Sequence, residues 1–288
     1  MKKKKKLISL SLIVGIIFLL VLTGCSSSSK TSSTSGKSDS TLDEIKSRGE
    51  VVVGTESAFE PFEFIQDGKI VGYGSDILAV MVDGLEVKLK QLDLPFQGIL
   101  PGLDAKKFDF VATSVTITPK RAKKYDFTVP IADATMAVLK RKGDSSIQKP
   151  EDIAGKVVGT QLGSAMLTST QTFDKDLKAK GDGTKEIKEY VAFPEAYQEL
   201  ATGRIDAVIN TKANLAGVLK KNPDKYEIVG TFGEPMWIAW AVRKGDKELL
   251  DYLNKQILDL RDSGKLGEMQ MKWFGFKMDI PDSGYLPE

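Results

Sequence analysis

FDFVATSVTITPKRAKKYDFT, residues 108–128, decides how this chain is read. Phe108–Thr113 is a short apolar run of the kind buried in a sheet. It ends in hydroxyl residues, Ser114 and Thr116, and in a Thr118-Pro119 turn followed by Arg121. Arginine presents a planar fork of donors that matches the two oxygens of a carboxylate, and it stays charged at physiological pH. Ser114, Thr116 and the backbone N–H groups of the turn can supply further hydrogen bonds. The stretch reads as one wall of a pocket for a small carboxylate. The plainer reading is a surface turn whose arginine pairs with an acid, and spacing alone does not separate the two.

Upstream, Leu42–Arg48 has the pattern of a short helix and Val51–Thr55 that of a buried strand. Phe59, Phe62 and Phe64 flank Pro61, and Gln66-Asp67-Gly68-Lys69 marks a hairpin turn. Phe62 and Phe64 read as core, whereas Phe59, beyond a strand's carboxyl end, is the candidate for ligand contact. Ser75–Leu85 is helical, Leu85–Leu89 alternates as a strand, and Phe96–Ala105 is a helix containing Pro101. Strands alternating with helices predict a mainly parallel sheet covered on both faces, with ligands at the strands' carboxyl ends.

From Lys149 the pattern restarts. Lys156–Thr160 is a strand, and Gly163-Ser164 opens a helix running to about Lys180, leaving free N–H groups suited to an anion. Ile187–Val191 is a strand, Pro194 starts a helix, Ile205–Ile209 is a strand, and Thr211–Lys220 is a helix. Tyr226–Val229 and Trp237–Arg243 are strands, Asp246–Asp262 and Leu266–Phe274 are helices, and the last segment is irregular.

Composition removes whole classes of function. Of 288 residues none is histidine and one is cysteine, which excludes histidine-based triads and zinc sites, Cys clusters and an internal disulfide. No metal or cofactor is expected. Lys2–Lys6 and the apolar Leu7–Leu22 form a secretory leader, and Leu22-Thr23-Gly24-Cys25 matches a bacterial lipobox, in which the cysteine is acylated after cleavage. An uncleaved anchor and an ordinary signal peptide are the other readings of this segment. Removing residues 1–24 takes away five lysines and no acid, turning 41 basic and 39 acidic residues into 36 and 39, a balance of −3. A nucleic-acid partner loses its electrostatic basis. Ser26–Thr41, nearly all Ser, Thr, Gly and Lys, reads as a disordered tether.

Taken together, residues 42–275 resemble the family-3 extracellular solute-binding proteins of bacterial ABC importers, of the polar amino-acid-binding type. The matching pieces are Val53-Gly54-Thr55, Phe59 with Pro61-Phe62-Glu63-Phe64, Gly72-Tyr73 with Asp76, Phe108-Asp109, Thr116-Ile117-Thr118-Pro119 with Arg121, and Asp126-Phe127. They continue through Gly155–Gly159, Gly203-Arg204 with Asp206-Ala207-Val208, and Val242–Asp246. The resemblance implies a type II periplasmic-binding-protein fold, α/β, with two lobes joined by two crossing strands. It places a leader at 1–24, a tether at 25–41, lobe 1 at 42–134 plus 238–288, and lobe 2 at 135–237. It further implies that Arg121 grips a ligand carboxylate, that Ser114 and Thr116 contact its amino and carboxylate groups, and that Phe59 packs on its side chain. Ser164 and Ala165 would add backbone donors. The expected partners are an amino acid, a membrane permease and the membrane itself through Cys25. The protein is expected to be a monomer on the outer face of the plasma membrane.

One position departs from the pattern. Asn210 stands where many relatives carry an aspartate for the ligand's ammonium group, and Asp206 is structural in the family. Either Glu56 holds the ammonium, or the ligand is a derivative or compatible solute that lacks one. On this reading an aspartate at 210 should strengthen amino-acid binding. Trp237, near the second crossing, is either a stacking surface for ligand or lobe packing. An enzyme of the dehydratase type on the same scaffold is the rival reading, with Glu56 or Asp133 as its acid.

Overall fold

Strands that are apolar on both faces must be covered on both, and this chain supplies the covering helices in alternation with its strands. The computed structural model describes residues 40–287; the leader, Cys25 and the tether up to residue 39 lie outside them. Thr41, expected as the last residue of the tether, is helical. Helix α1 (Thr41–Arg48) begins there because the Ser40 side chain accepts a bond from the Asp43 N–H, and Gly49 ends it with left-handed φ.

The chain then forms β1 (Glu50–Thr55), β2 (Ala58–Phe59), β3 (Glu63–Gln66), β4 (Lys69–Val71), α2 (Tyr73–Leu85), β5 (Lys88–Asp93), α3 (Phe96–Asp104) and β6 (Phe110–Thr116). After α4 (Pro119–Ala122), β7 (Tyr125–Phe127) and β8 (Ala132–Asp133) it leaves this region. A second set follows: β9 (Met136–Arg141), β10 (Val157–Gln161), α5 (Ala165–Lys180), β11 (Glu186–Tyr190), α6 (Phe193–Ala201), β12 (Ala207–Thr211), α7 (Lys212–Lys221) and β13 (Tyr226–Phe232). The chain returns as β14 (Trp237–Arg243) and closes with α8 (Lys247–Asp262) and α9 (Lys265–Phe274).

The first sheet runs β5-β1-β6-β14-β7, with β8 also on β14; the second runs β11-β10-β12-β9-β13; β2, β3 and β4 make a small third sheet. In each large sheet three parallel strands adjoin an antiparallel one, β14 or β9. The two sheets repeat one fastening. Asp109 accepts from the Val52 N–H at 2.8 Å, and Asp206 accepts from the Val157 N–H at 2.8 Å. Thr55 donates to the Ala112 carbonyl at 3.0 Å, and Thr160 donates to that of Ile209 at 3.1 Å.

The two passages between the sheets lie side by side. Asp133 pairs with Trp237, the Ala134 N–H donates to the Met236 carbonyl at 2.8 Å, and Met136 pairs with Phe232. Together they form one two-stranded ribbon. The largest fully buried side chains include Trp240, Tyr73, Phe62, Phe110 and Phe193, each contributing about 2–3 kcal/mol by leaving water.

Among the strands whose bounds differ from expectation, three bear on the site. The strand expected at Leu85–Leu89 is Lys88–Asp93, because parallel pairing with β1 selects that register. The strand expected at Phe108–Thr113 runs on to Thr116, held by β14 opposite Val115 and Thr116, so Ser114 and Thr116 belong to the strand. The strand expected to stop at Ile209 continues through Asn210 and Thr211, which pair with Ala137 and Met136.

Candidate functional site

Arg121 is placed by a single helical turn. Thr118 caps α4 by accepting from the Arg121 N–H, and Pro119 occupies its first turn, where its missing N–H costs nothing. The guanidinium donates to the Thr116 carbonyl at 2.8 Å and to the Gly163 carbonyl at 3.2 Å, and it lies 5.4 Å from the Phe96 ring centroid. Among the described residues no acid stands within ion-pair distance of it, so the plainer reading, an arginine neutralised by a surface acid, is not what forms. Burial lowers its pKa to about 10, which leaves it charged at neutral pH.

A cavity of about 640 Å³ opens beside this guanidinium, lined also by Phe96, Leu100, Tyr125, Ser164 and Ala165. Ser164 caps α5, accepting from the Leu167 N–H at 3.1 Å and donating to the Gln161 carbonyl at 2.6 Å. The cavity is therefore lined by a cation from the α4 turn and, beside it, by the opening turn of a sixteen-residue helix. Both features attract a carboxylate.

A second polar group surrounds Glu63. Thr113 and Ser114 donate to its Oε2 at 3.2 and 3.1 Å, while Oε1 is buried without a partner. Gly74 makes the room, since a Cβ at that position would overlap Oε1. Glu56 lies nearby and accepts from Gln161 Nε2 at 2.5 Å. Burial, the largest effect on each, raises both carboxyls to about 8; Ser114 and Thr113 partly offset this at Glu63, and Gln161 does so at Glu56. Both are neutral near pH 7.

Phe59 is 3% exposed and packs against Phe62 and Phe193, each at 5.6 Å, the latter from α6 beneath the second sheet. Asn210 is wholly buried. Its Nδ2 donates to Tyr197 Oη at 2.9 Å and to Asn214 Oδ1 at 2.6 Å, and its Oδ1 accepts from the Thr211 N–H at 2.7 Å. Trp237 is half-buried and packs against the apolar cluster of α3, β6 and β14. The fold thus gathers Arg121, Ser164 and Ala165 about one cavity, Ser114 and Glu56 about a buried carboxyl group, and Phe59 in an aromatic cluster. Asn210 and Trp237 line no part of the cavity beside Arg121. Glu63, Gln161 and Phe96 escaped the sequence reading; the room that Gly74 leaves for Glu63 shows only in three dimensions.

Among the described residues no group of three or more metal-ligating side chains is placed to hold an ion, and no helix is long and apolar enough to cross a membrane. Comparison with known proteins agrees with the architecture. The profile of the bacterial extracellular solute-binding proteins, family 3, matches residues 51–276. The L-cystine-binding protein TcyJ of Escherichia coli (strain K12) is 31% identical over 81% of this chain and 86% of its own length. The L-arginine-binding protein of Pseudomonas aeruginosa is 34% identical over 78% of this chain and 88% of its own. An ancestral arginine-binding protein bound to arginine superposes with a TM-score of 0.72 at 38% identity, covering 79% of this chain and 99% of that one. These relatives are named for the amino acids they bind, L-cystine and L-arginine. By the span of the profile match and the shared two-sheet architecture, this chain belongs to the bacterial extracellular solute-binding proteins, family 3.

Proposed function

We propose that this protein captures a small α-amino acid between two lobes, residues 42–134 plus 238–288 and residues 135–237, and delivers it to the permease of an ABC importer. The observation that carries the reading is the Arg121 guanidinium, with no acidic partner among the described residues, beside a 640 Å³ cavity that the opening turn of α5 also lines. Arg121 grips the carboxylate and the start of α5 at Ser164 and Ala165 adds N–H donors. Ser114, Thr116, Phe59 and Glu56 are buried outside that cavity, and in this reading they meet the ligand once the lobes part. A ligand touching both lobes binds the closed form better and so shifts the hinge toward closure. The names of the relatives supply the first ligands to try, L-arginine and L-cystine.

The leader at 1–24 and a lipid on Cys25 place the monomer on the outer face of the plasma membrane, where the tether holds it at high effective concentration near its permease. The test is calorimetry of residues 26–288 against L-arginine, L-cystine and the remaining amino acids. Saturable binding that disappears in Arg121→Ala supports the reading. Absence of binding across the whole panel overturns it. Mass spectrometry of the mature N-terminus, compared with Cys25→Ser, tests the anchor separately.

A further inference from the structure

Besides the Arg121 cavity, the two lobes meet along a second line. The hairpin of β2 and β3 seats on α7. Asn214 Nδ2 donates to the Glu60 carbonyl at 2.6 Å, Lys221 pairs with the Glu60 carboxylate, and Lys221 Nζ lies 5.2 Å from the Phe64 ring centroid. Beneath these, Gly217 lies flat against Pro61; a Cβ there would sit 2.5 Å from the proline Cδ. Glu60, Phe64, Asn214, Gly217 and Lys221 border a groove of about 500 Å³, and none of them lines the cavity beside Arg121.

Asn214 is not a loose surface amide. It is 1% exposed, and its Oδ1 accepts from both Asn210 Nδ2 and Tyr197 Oη, each at 2.6 Å, which aims its own Nδ2 at the opposite lobe. Tyr197 and Asn210 are thus committed to orienting one cross-lobe donor. The Glu60–Lys221 pair is largely solvated, and exposed pairs contribute little. The buried amide bond and the Gly217–Pro61 contact therefore carry the interaction.

We infer that Asn214, held by Asn210 and Tyr197, and Gly217 against Pro61 form a latch that sets how readily the lobes close, independently of which ligand is bound. Asn210 and Tyr197 act as positioning residues within it. This goes beyond the proposed function, because the latch acts in the empty protein.

The experiment reads closure without ligand, by small-angle X-ray scattering and by a fluorophore pair with one dye on each lobe. Gly217→Ala adds a methyl group at a helical position where alanine is the better helix former, so the variant folds. The methyl overlaps Pro61, so the ligand-free protein should be more open than wild type. Affinity for every amino acid that wild type binds should fall by a common factor of about ten or more, because only the closed fraction binds tightly. Asn214→Ala should act in the same direction. Lys221→Glu should weaken binding about threefold, and the swap Glu60→Lys/Lys221→Glu should restore it.

Unchanged scattering in both Gly217→Ala and Asn214→Ala, with both variants folded, overturns the latch. So does a loss of affinity that differs from ligand to ligand, which would assign these residues to the pocket. A wild type that binds no amino acid sinks the proposed function alone, since the ligand-free scattering still decides the latch.

Discussion

Gln161 Nε2 donates to Glu56 Oε1 across 2.5 Å, joining the end of β10 in one sheet to the residue that follows β1 in the other. The bond ties the carboxyl ends of strands in different lobes directly together, and it does so through a carboxyl group that burial keeps protonated near neutral pH.

Stability should therefore fall with rising pH. An acid with a raised folded pKa holds its proton more firmly in the native state than unfolded. The stabilisation it gives is complete below about 4.5 and is lost as pH rises through about 8 at Glu56 and Glu63. The unfolding temperature should drop between pH 6 and 8, and Glu63→Gln should flatten the slope. Calorimetry showing a level or rising unfolding temperature over this range contradicts the assignment.

Arg121→Ala should weaken binding of any carboxylate ligand by about 100-fold or more, because two charge-assisted hydrogen bonds of about 1.5–3 kcal/mol each are lost. Folding should be spared, since the guanidinium's protein bonds are to the Thr116 and Gly163 carbonyls. Arg121→Lys should keep the charge and lose the fork, giving intermediate affinity. Titration calorimetry beside circular dichroism separates the two effects.

Asn210→Asp is expected to destabilise the protein rather than to improve a ligand contact. The new carboxylate would be buried, would lose both amide donors, and would face Asn214 Oδ1 as a second acceptor. A loss of about 2–4 kcal/mol in urea denaturation is expected. Tighter amino-acid binding at unchanged stability is the contrary result.

Asp206→Ala and Asp109→Ala should each cost about 1–3 kcal/mol and should act locally. The first exposes the Val157 amide to hydrogen exchange and the second exposes that of Val52. Loss of protection at both amides in either variant would mean that the sheets do not open separately.

Element order and several helix starts were legible because they depend on local signals. Ser164 before an apolar-periodic run, Thr211 before α7 and the Asp67-Gly68 turn each fix the backbone within a few residues. What stayed hidden depends on distant partners. The end of β6 is set by β14, more than a hundred residues later, so Ser114 and Thr116 looked like turn residues when they are strand. Glu63, between Phe62 and Phe64, reads as solvent-facing by alternation. It is buried because Thr113 and Ser114 donate to it and Gly74 leaves it space. The resemblance makes Asn210 a ligand position, whereas in the structure Tyr197 and Asn214 take its hydrogen bonds.

The paired passages between the sheets set the kind of motion available. A bend that carries Ala134 and Met236 together leaves their hydrogen bond intact, whereas sliding one strand past the other breaks it. Thr135 N–H and Oγ1 both bond the Asp133 carboxylate, at 2.7 and 2.9 Å, stiffening the corner against torsion. Movement about this ribbon should therefore be a swing and not a slide.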